Sequence, residues 1–325
     1  MPKVYITRKI PQEAIDLITS YAQVNIWPKE DTPPREEFLR SIADIDGLLL
    51  YGVDKMDSTA MDVAPKLKVI ANISVGYDNI DIEAAAERGI MVSNTPGVVT
   101  DSTADLTFAL MLASARRLVE MVNLTVKGGW EMWGPMEMLG CDVHHKTLGI
   151  IGLGRIGAAV VKRARGFSMK VIYYDVVRRP NEAELGVEYI GDIPTLLGMS
   201  DFVSIHVPLS RETRHLIGAK ELALMKPTAI LVNASRGSVV DQKALYEALK
   251  RKQIWGAAID VTEVEPIPLD APLLTLDNII ITPHIGTQTG ETGVKMSVLG
   301  VENLIAGLKG EPMPNCVNCH LLRKR

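Results

Sequence analysis

The chain has 325 residues, which is enough for two domains of ordinary size. Its net charge of −4 at pH 7 argues against nucleic acid as the main partner. No apolar run reaches the roughly 18 residues that a membrane span needs. The opening MPKVYITRKIP predicts a first strand and lacks the pattern of a signal peptide. We therefore expect a cytoplasmic protein that binds neither nucleic acid nor a membrane.

The cysteines Cys141, Cys316 and Cys319 are too few for a disulfide framework and suit a reducing compartment. The segment Cys316-Val317-Asn318-Cys319-His320 matches the string that attaches c-type haem. A chance match in a C-terminal tail is the alternative, and we favour it because haem attachment of this kind needs export. We expect no metal centre.

Short apolar runs alternate with helical patterns in the N-terminal part of the chain. The runs predict strands at 3–7, 24–27, 47–50, 68–73 and 89–93. Helical patterns such as 34–42 and 82–88 lie between them. This alternation predicts an α/β fold with a parallel sheet.

A long helix is predicted from Asp101 to about Gly129 by the apolar pattern there, with Asp101, Ser102 or Thr103 as N-cap. The alternation of strand and helix restarts at Lys146 and predicts six strands. A last helical pattern, 290–307, follows the second sheet, so we expect it to pack back on the first domain. The predicted domains are thus 1–98 with 289–325, and 99–288.

Gly152-Leu153-Gly154-Arg155-Ile156-Gly157 is a GxGxxG string between a predicted strand and a predicted helix. Its glycines permit a tight turn, close approach of a pyrophosphate and close packing of helix on strand. The helix N-terminus would offer free N–H groups to the phosphates. The string in this context predicts a dinucleotide site.

Asp175 ends the next predicted strand, where a carboxylate receives the adenosine ribose hydroxyls of NAD and repels the 2′-phosphate of NADP. Arg178 and Arg179 could instead hold that phosphate, or form a solvated turn before Pro180. We favour NAD because Asp175 is the better placed group, and NADP stays open.

Arg236, Glu265 and His284 each follow an apolar run in the C-terminal half. Ligands of open α/β sheets bind at the carboxyl ends of the strands. Arginine can hold a carboxylate and a neighbouring keto oxygen with two parallel hydrogen bonds. Histidine can give a proton to a developing alkoxide near neutral pH. The set suits reduction of a 2-oxo acid.

Ordered segments of the chain resemble the D-isomer-specific 2-hydroxyacid dehydrogenases. The segments are GLGRIG with YYD, HVPLSRET, LVNASRGSVVD, AAIDVTEVEP, TPHIG and, nearer the N-terminus, SVGYDNIDIEAAAERGI. Within the family, GGWEMWGP, Thr262, LLTLDN and GLKGEPMP are most like the glyoxylate/hydroxypyruvate reductases. The resemblance implies two doubly wound parallel-sheet domains, a Rossmann NAD-binding domain and a flavodoxin-like substrate domain, with a cleft between them.

The resemblance also implies roles for individual residues. His284 would be the proton donor, Glu265 rather than the nearby Glu263 would stabilise its imidazolium, and Arg236 would hold the substrate. The implied cofactor residues are Thr103, Gly152, Gly154, Arg155, Ile156, Gly157, Asp175, Pro208, Ala234, Ser235, Asp260 and Gly286. The implied substrate residues are Tyr51, Val53, Val75, Gly76, Trp133 and Arg236.

The implied reaction is NAD(P)H-dependent reduction of glyoxylate or hydroxypyruvate to the D-2-hydroxy acid. The implied assembly is a homodimer in which Trp133 reaches the partner's active site. Other D-2-hydroxyacid dehydrogenases, specific for D-lactate or D-3-phosphoglycerate, are alternatives. Asn72 stands where the phosphoglycerate enzymes usually have a basic residue. A binding protein that senses NAD, like the co-repressors of this family, is the alternative from another class.

Overall fold

The computed structural model describes residues 1–29, 31–131 and 138–322. The chain divides into two compact units. The first unit combines Met1–Val99 with Gln288–Arg325, and the second unit is the uninterrupted segment Thr100–Thr287. Each unit is built on its own sheet, and every strand pair is parallel, as the sequence predicted.

The first unit contains a five-stranded sheet with the order β2-β1-β3-β4-β5. This is the flavodoxin-like order, in which β2 is added on one side of β1 and β3, β4 and β5 are added on the other side. The central strands β3 and β4 are mostly aliphatic and buried, except for the partly exposed Tyr51, as expected where helices cover both faces. The strands are β1 (Lys3–Ile6), β2 (Gln23–Ile26), β3 (Gly47–Tyr51), β4 (Val69–Ile73) and β5 (Met91–Ser93).

Four short helices and the C-terminal helix surround this sheet. Asp57 and Asp81 cap two of them by accepting the N–H groups of Ala60 and Ala84. The helices are α1 (Gln12–Thr19), α2 (Arg35–Ile42), α3 (Ser58–Asp62), α4 (Ile82–Glu87) and α12 (Gly290–Lys309).

Helix α12 packs directly on β3 and β4 of the first unit. A Cβ at Gly300 would lie 3.1 Å from Ile73, and one at Gly307 would lie 2.8 Å from Val69. Glycine at both positions therefore lets the helix approach the sheet closely. The Thr289 side chain caps the helix by accepting the N–H of Thr292.

The second unit contains a seven-stranded sheet with the order β12-β11-β10-β9-β6-β7-β8. Its first six strands in chain order have the arrangement of a dinucleotide-binding fold. The sequence missed β8 because two residues at the sheet edge carry no periodic signal. The strands are β6 (Thr147–Ile151), β7 (Lys170–Tyr174), β8 (Glu188–Tyr189), β9 (Phe202–Ile205), β10 (Ile230–Asn233), β11 (Gly256–Ile259) and β12 (Ile279–Ile281).

The single long helix predicted from Asp101 is wrong, because the structure has two helices there. The break falls at Arg117, whose φ of 52° lies in the left-handed region. The chain at Gly140 packs so closely there that its Cβ would lie 2.4 Å from the carbonyl oxygen of Ala115. The first of the two helices begins at Thr100, so all three predicted N-cap residues lie inside it. The helices of this unit are α5 (Thr100–Ala115), α6 (Leu118–Val126), α7 (Arg155–Arg165), α8 (Glu182–Leu185), α9 (Ile193–Met199), α10 (Ala219–Leu224) and α11 (Gln242–Lys250).

The C-terminal tail pairs with the edge strand β5, and Cys316 and Cys319 form a disulfide. Between them, the buried Asn318 side chain donates to the Ile90 carbonyl and accepts the Val92 N–H. The sequence analysis did not predict this pairing. Cys141 is free.

Among residues 1–29, 31–131 and 138–322, no helix has both the length and the apolar character needed to cross a membrane.

Candidate active site

The glycine-rich turn between β6 and α7 has the geometry that a dinucleotide requires. Gly152 has a φ of 93°, which side chains rarely adopt. A Cβ at Gly157 would lie 2.4 Å from the Gly152 carbonyl oxygen, so this glycine permits the tight packing of helix on turn. At Gly154, the N-cap of α7, no atom lies within 4 Å of the Cβ position. The space beside Gly154, at the start of the helix that Arg155 and Ile156 open, is thus unfilled.

Asp175 follows β7 and is tied to this turn. Its Oδ2 accepts the Leu153 N–H at 3.0 Å and lies 3.0 Å from Nη2 of Arg179. Arg178 instead pairs with Glu182, and the hydrogen bonds of Arg178 and Tyr173 lower the pKa of the Glu182 carboxyl. Both arginines near the predicted ribose site are therefore bonded to carboxylates of the same segment.

Arg236 lies in the turn after β10. Asn233, the last residue of the strand, donates to the Arg236 carbonyl at 2.9 Å and accepts the N–H and hydroxyl of Ser235. Nη1 of Arg236 donates to the Ser235 carbonyl at 2.9 Å. A Cβ at Gly237 would lie 2.0 Å from the Thr262 carbonyl, so only glycine allows this turn to lie against the turn after β11.

His284 and Glu265 form a hydrogen-bonded pair, with 2.7 Å between Nδ1 and Oε2. Oε1 of Glu265 accepts the Thr262 N–H at 3.1 Å. Burial raises the pKa of Glu265. The hydrogen bond and charge of His284 lower it, as do the Thr262 N–H and the charge of Arg236, and the resulting pKa is below the ordinary value. The carboxylate is therefore ionised at neutral pH and can stabilise an imidazolium. Arg236 is near enough for its charge to lower the pKa of Glu265. The three predicted catalytic groups therefore lie near one another, at the carboxyl ends of the strands.

Glu263, the rival carboxylate, bonds elsewhere. Its Oε1 lies 3.1 Å from Nε2 of His215 and accepts the Gln242 N–H at 2.9 Å. The two glutamates are two residues apart and have different partners, and only Glu265, the one that the resemblance selected, bonds His284.

Asp260 anchors the turn that carries His284. Its side chain is 1% exposed and accepts the hydroxyl of Thr282 and the N–H groups of Ile285 and Gly286 at 2.6 to 2.8 Å. Its carbonyl accepts the His284 N–H at 2.8 Å. His284 itself has a φ of 56°, an uncommon conformation for a residue with a side chain. Sequence reasoning missed this anchoring role and the contribution of Thr282.

The other predicted cofactor residues of the second unit lie around the same strand ends. A Cβ at Gly286 would lie 3.2 Å from Oδ2 of Asp260 and 3.5 Å from Cγ2 of Thr103, so these three residues are neighbours. The carbonyl of Pro208 accepts the Thr213 hydroxyl at 2.6 Å, which fixes the turn after β9. Ala234 lies between Asn233 and Ser235 in the turn after β10.

The predicted substrate residues of the first unit lie at the carboxyl ends of β3 and β4. Tyr51 is the last residue of β3, and Val53 follows it with 58% of its surface exposed. Val75 and Gly76 follow β4. Trp133 lies outside the described residues. Over the part of the chain that the structure describes, no group of three or more His, Cys, Asp or Glu residues is arranged to hold a metal ion.

Comparisons with known proteins identify the class of enzyme. The profile of the D-isomer specific 2-hydroxyacid dehydrogenase family, NAD binding domain, matches residues 108–286. The chain therefore belongs to this family and is an NAD(P)-dependent oxidoreductase, which confirms the resemblance seen in the sequence.

Several full-length relatives are known. The chain is 51% identical to the glyoxylate reductase of Thermococcus litoralis, with 99% of this chain and 98% of that protein covered. It is 49% identical to the glyoxylate reductase of Korarchaeum cryptofilum, with 100% and 98% covered. The crystal structure of a Thermus thermophilus protein, 44% identical, superimposes with a TM-score of 0.91 and covers 97% of this chain and 99% of that one.

Proposed function

We propose that this protein reduces glyoxylate or hydroxypyruvate to the corresponding D-2-hydroxy acid, with NAD(P)H as reductant and His284 as proton donor. The observation that carries the proposal is the pair formed by Nδ1 of His284 and the Glu265 carboxylate. Arg236 lies near Glu265 and adds a cation that can bind the substrate carboxylate. The two relatives named above are glyoxylate reductases, which also supports the proposal.

Each of the three residues has one task in the proposed reaction. Arg236 binds the substrate carboxylate and keto oxygen through its planar guanidinium, which orients the carbonyl. His284 gives a proton to the substrate oxygen from Nε2, because Nδ1 is bonded to Glu265. Glu265 keeps the ring oriented and stabilises its charged form before the proton leaves.

The turn at Gly152–Gly157 and the α7 N-terminus fit the pyrophosphate of a dinucleotide, since the space above Gly154 is open. NAD(P)H would supply the hydride that reduces the substrate carbonyl carbon. We propose that Asp175 receives the ribose hydroxyls and that NADH is preferred, because Arg178 and Arg179 are paired with carboxylates. We further propose that residues 99–288 bind the cofactor, with Thr103, Pro208, Ala234, Ser235, Asp260 and Gly286 lining its site.

We propose that residues 1–98 and 289–325 form the substrate-binding domain. Tyr51, Val53, Val75 and Gly76 would line the site, since they occupy the strand ends where ligands of such sheets bind. We also propose a cytoplasmic location, because the reaction consumes NAD(P)H.

The protein is proposed to act as a homodimer in which two copies of α6 meet. None of the α6 side chains is buried, although Leu118, Val119, Val122 and Val126 are apolar and 48 to 81% exposed. An exposed apolar face of this kind marks an interaction surface. Trp133, close in sequence to α6, would then belong to the partner's site, as the resemblance implies.

The proposed function is tested by NADH oxidation with glyoxylate, hydroxypyruvate, pyruvate and phosphohydroxypyruvate, and then with NADPH in place of NADH. Turnover with the first two acids supports the proposal, and the cofactor ratio reports on Asp175. A preference for pyruvate or the phosphorylated acid would reassign the substrate, and no turnover would favour a binding protein. Sedimentation of the wild type and of Val122→Glu tests the dimer, which the variant should dissociate.

A further inference from the structure

The turn after β4 in the first unit has an uncommon arrangement of its peptide groups. Three successive carbonyl oxygens, those of Ser74, Val75 and Gly76, each accept a hydrogen bond from elsewhere in this unit. The Ser74 carbonyl accepts the Thr95 N–H at 2.9 Å. The other two carbonyls are bonded by side-chain amides.

Those two amides belong to Asn94 and Asn72. Nδ2 of Asn94 donates to the Val75 carbonyl at 2.7 Å, and Nδ2 of Asn72 donates to the Gly76 carbonyl at 2.9 Å. Asn72 lies in β4, and Asn94 immediately follows β5, which pairs with β4. Both residues are buried: the exposed fraction of Asn72 is 0% and that of Asn94 is 9%. All three donors therefore lie in one patch at the end of two paired strands.

This anchoring fixes where the neighbouring N–H groups point. The N–H and C=O of a trans peptide point in opposite directions, and these peptide bonds are trans. The N–H groups of Val75, Gly76 and Tyr77 must therefore point away from the anchoring patch. Across the described residues, none of the three donates to an acceptor within the protein. Successive N–H groups with a common direction make an anion-binding concavity.

We propose that Asn72 and Asn94 are positioning residues that hold this concavity open for the substrate carboxylate. The inference rests on the proposed function, which supplies a carboxylate substrate. Neither asparagine touches the substrate in this account. Each one holds a carbonyl, so that a peptide N–H faces outward before the substrate arrives and no reorganisation is needed on binding.

Asn72 has a second task, because its amide also lies 3.2 Å from Oδ1 of Asn79. Asn79 in turn donates to the carbonyls of Asp54 and Tyr51, at 2.9 and 3.3 Å. The same network therefore fixes the turn after β3, where Tyr51 and Val53 lie. Loss of Asn72 should disturb both turns, whereas loss of Asn94 should disturb only the concavity.

The test compares Asn94→Asp with Asn94→Ala. The aspartate keeps the shape of the side chain but points an acceptor at the Val75 carbonyl, so it should be the more harmful change. We expect the KM for the 2-oxo acid to rise about 10- to 100-fold in Asn94→Asp, as loss of a hydrogen bond to a charged group implies. It should rise less in Asn94→Ala, and the KM for NADH should stay the same in both. A role in packing alone predicts the reverse order, with the truncation worse than the isosteric change.

Asn278→Asp is the matched control. Nδ2 of Asn278 also donates to two backbone carbonyls, those of Leu249 and Trp255, but this residue precedes β12 in the second unit. It should lose thermal stability without a change in either KM. An unchanged KM for the 2-oxo acid in Asn94→Asp would overturn the inference.

Binding of oxalate separates this inference from the proposed function. If the wild type reduces none of the acids, the proposed function fails, and the shift of Tm by oxalate then decides the inference. A shift in the wild type that Asn94→Asp abolishes supports the anchored concavity. Equal shifts in both proteins, or no shift in either, contradict it.

Discussion

Nδ1 of His284 lies 2.7 Å from Oε2 of Glu265, and the backbone of His284 is held in a left-handed conformation by the Asp260 carbonyl. The ring is thus fixed twice, through its side chain and through its main chain. Its second nitrogen, Nε2, is the atom that this arrangement leaves for proton transfer.

Replacement of Glu265 by glutamine should lower kcat for reduction about 10- to 100-fold, because a neutral amide stabilises the imidazolium less than a carboxylate does. The KM for the 2-oxo acid should change far less. Glu263→Gln is the matched control, since Glu263 bonds His215 and Gln242 instead. Similar losses in both variants would show that the pair with His284 has no special role.

Replacement of Arg236 by lysine should lower kcat/KM about 100-fold, because a single ammonium cannot make two parallel hydrogen bonds to the substrate. Steady-state kinetics with glyoxylate measures this loss. Arg251→Lys, which alters an exposed pair with Glu247, should have no effect. A near-normal kcat/KM in Arg236→Lys would refute the role of Arg236 in substrate binding.

The stability of the protein should fall as the pH is lowered from about 6.5 to about 4. Burial lowers the pKa of His206 to about 4, whereas an unfolded histidine titrates near 6.5. Between these values the unfolded chain binds a proton that the folded protein does not, so acid favours unfolding. From pH 6.5 to 5 we expect a loss of about 1.5 kcal/mol in the free energy of unfolding.

Urea unfolding at several pH values measures the effect of His206. The variant His206→Gln should have a flatter profile between pH 6.5 and 4 than the wild type, although it loses the contact with Ser204. Parallel profiles for the two proteins would mean that other groups cause the acid sensitivity.

Reduction of the disulfide between Cys316 and Cys319 should lower the free energy of unfolding by about 2 kcal/mol, the amount expected for a short closed loop. The buried Asn318 amide that bonds strand β5 is then held less firmly. Thermal unfolding with and without a phosphine reductant measures the difference. A double variant with serine at both positions should not respond to the reductant, whereas Cys141→Ser should respond like the wild type. Equal Tm values for the wild type in both conditions would contradict this account.

The sequence predicted most strands to within one or two residues, because buried parallel strands are unbroken aliphatic runs. It could not reveal the break at Arg117, since Ala115, Arg116 and Leu118 all favour a helix and only the packed Gly140 segment interrupts it. It also missed β8, which is defined by its neighbour β7 rather than by its own residues.

At the candidate site, the sequence identified strand-end residues because their position follows from the sheet. It could not show that Asp260 holds the turn of His284, or that Asn72 and Asn94 hold the turn at Val75. These contacts join segments that are far apart in the chain or depend on side-chain orientation. The spacing of residues in the sequence predicts neither contacts between distant segments nor the orientation of a side chain.

The return of α12 to the first sheet imposes an order on synthesis. When Met1–Val99 leaves the ribosome, the helix whose Gly300 and Gly307 will press against Ile73 and Val69 has not yet been made. The whole of Thr100–Thr287 emerges in between and can complete its own sheet first. Part of one apolar face of the N-terminal sheet, the part that α12 covers on β3 and β4, therefore has no partner until this helix is made.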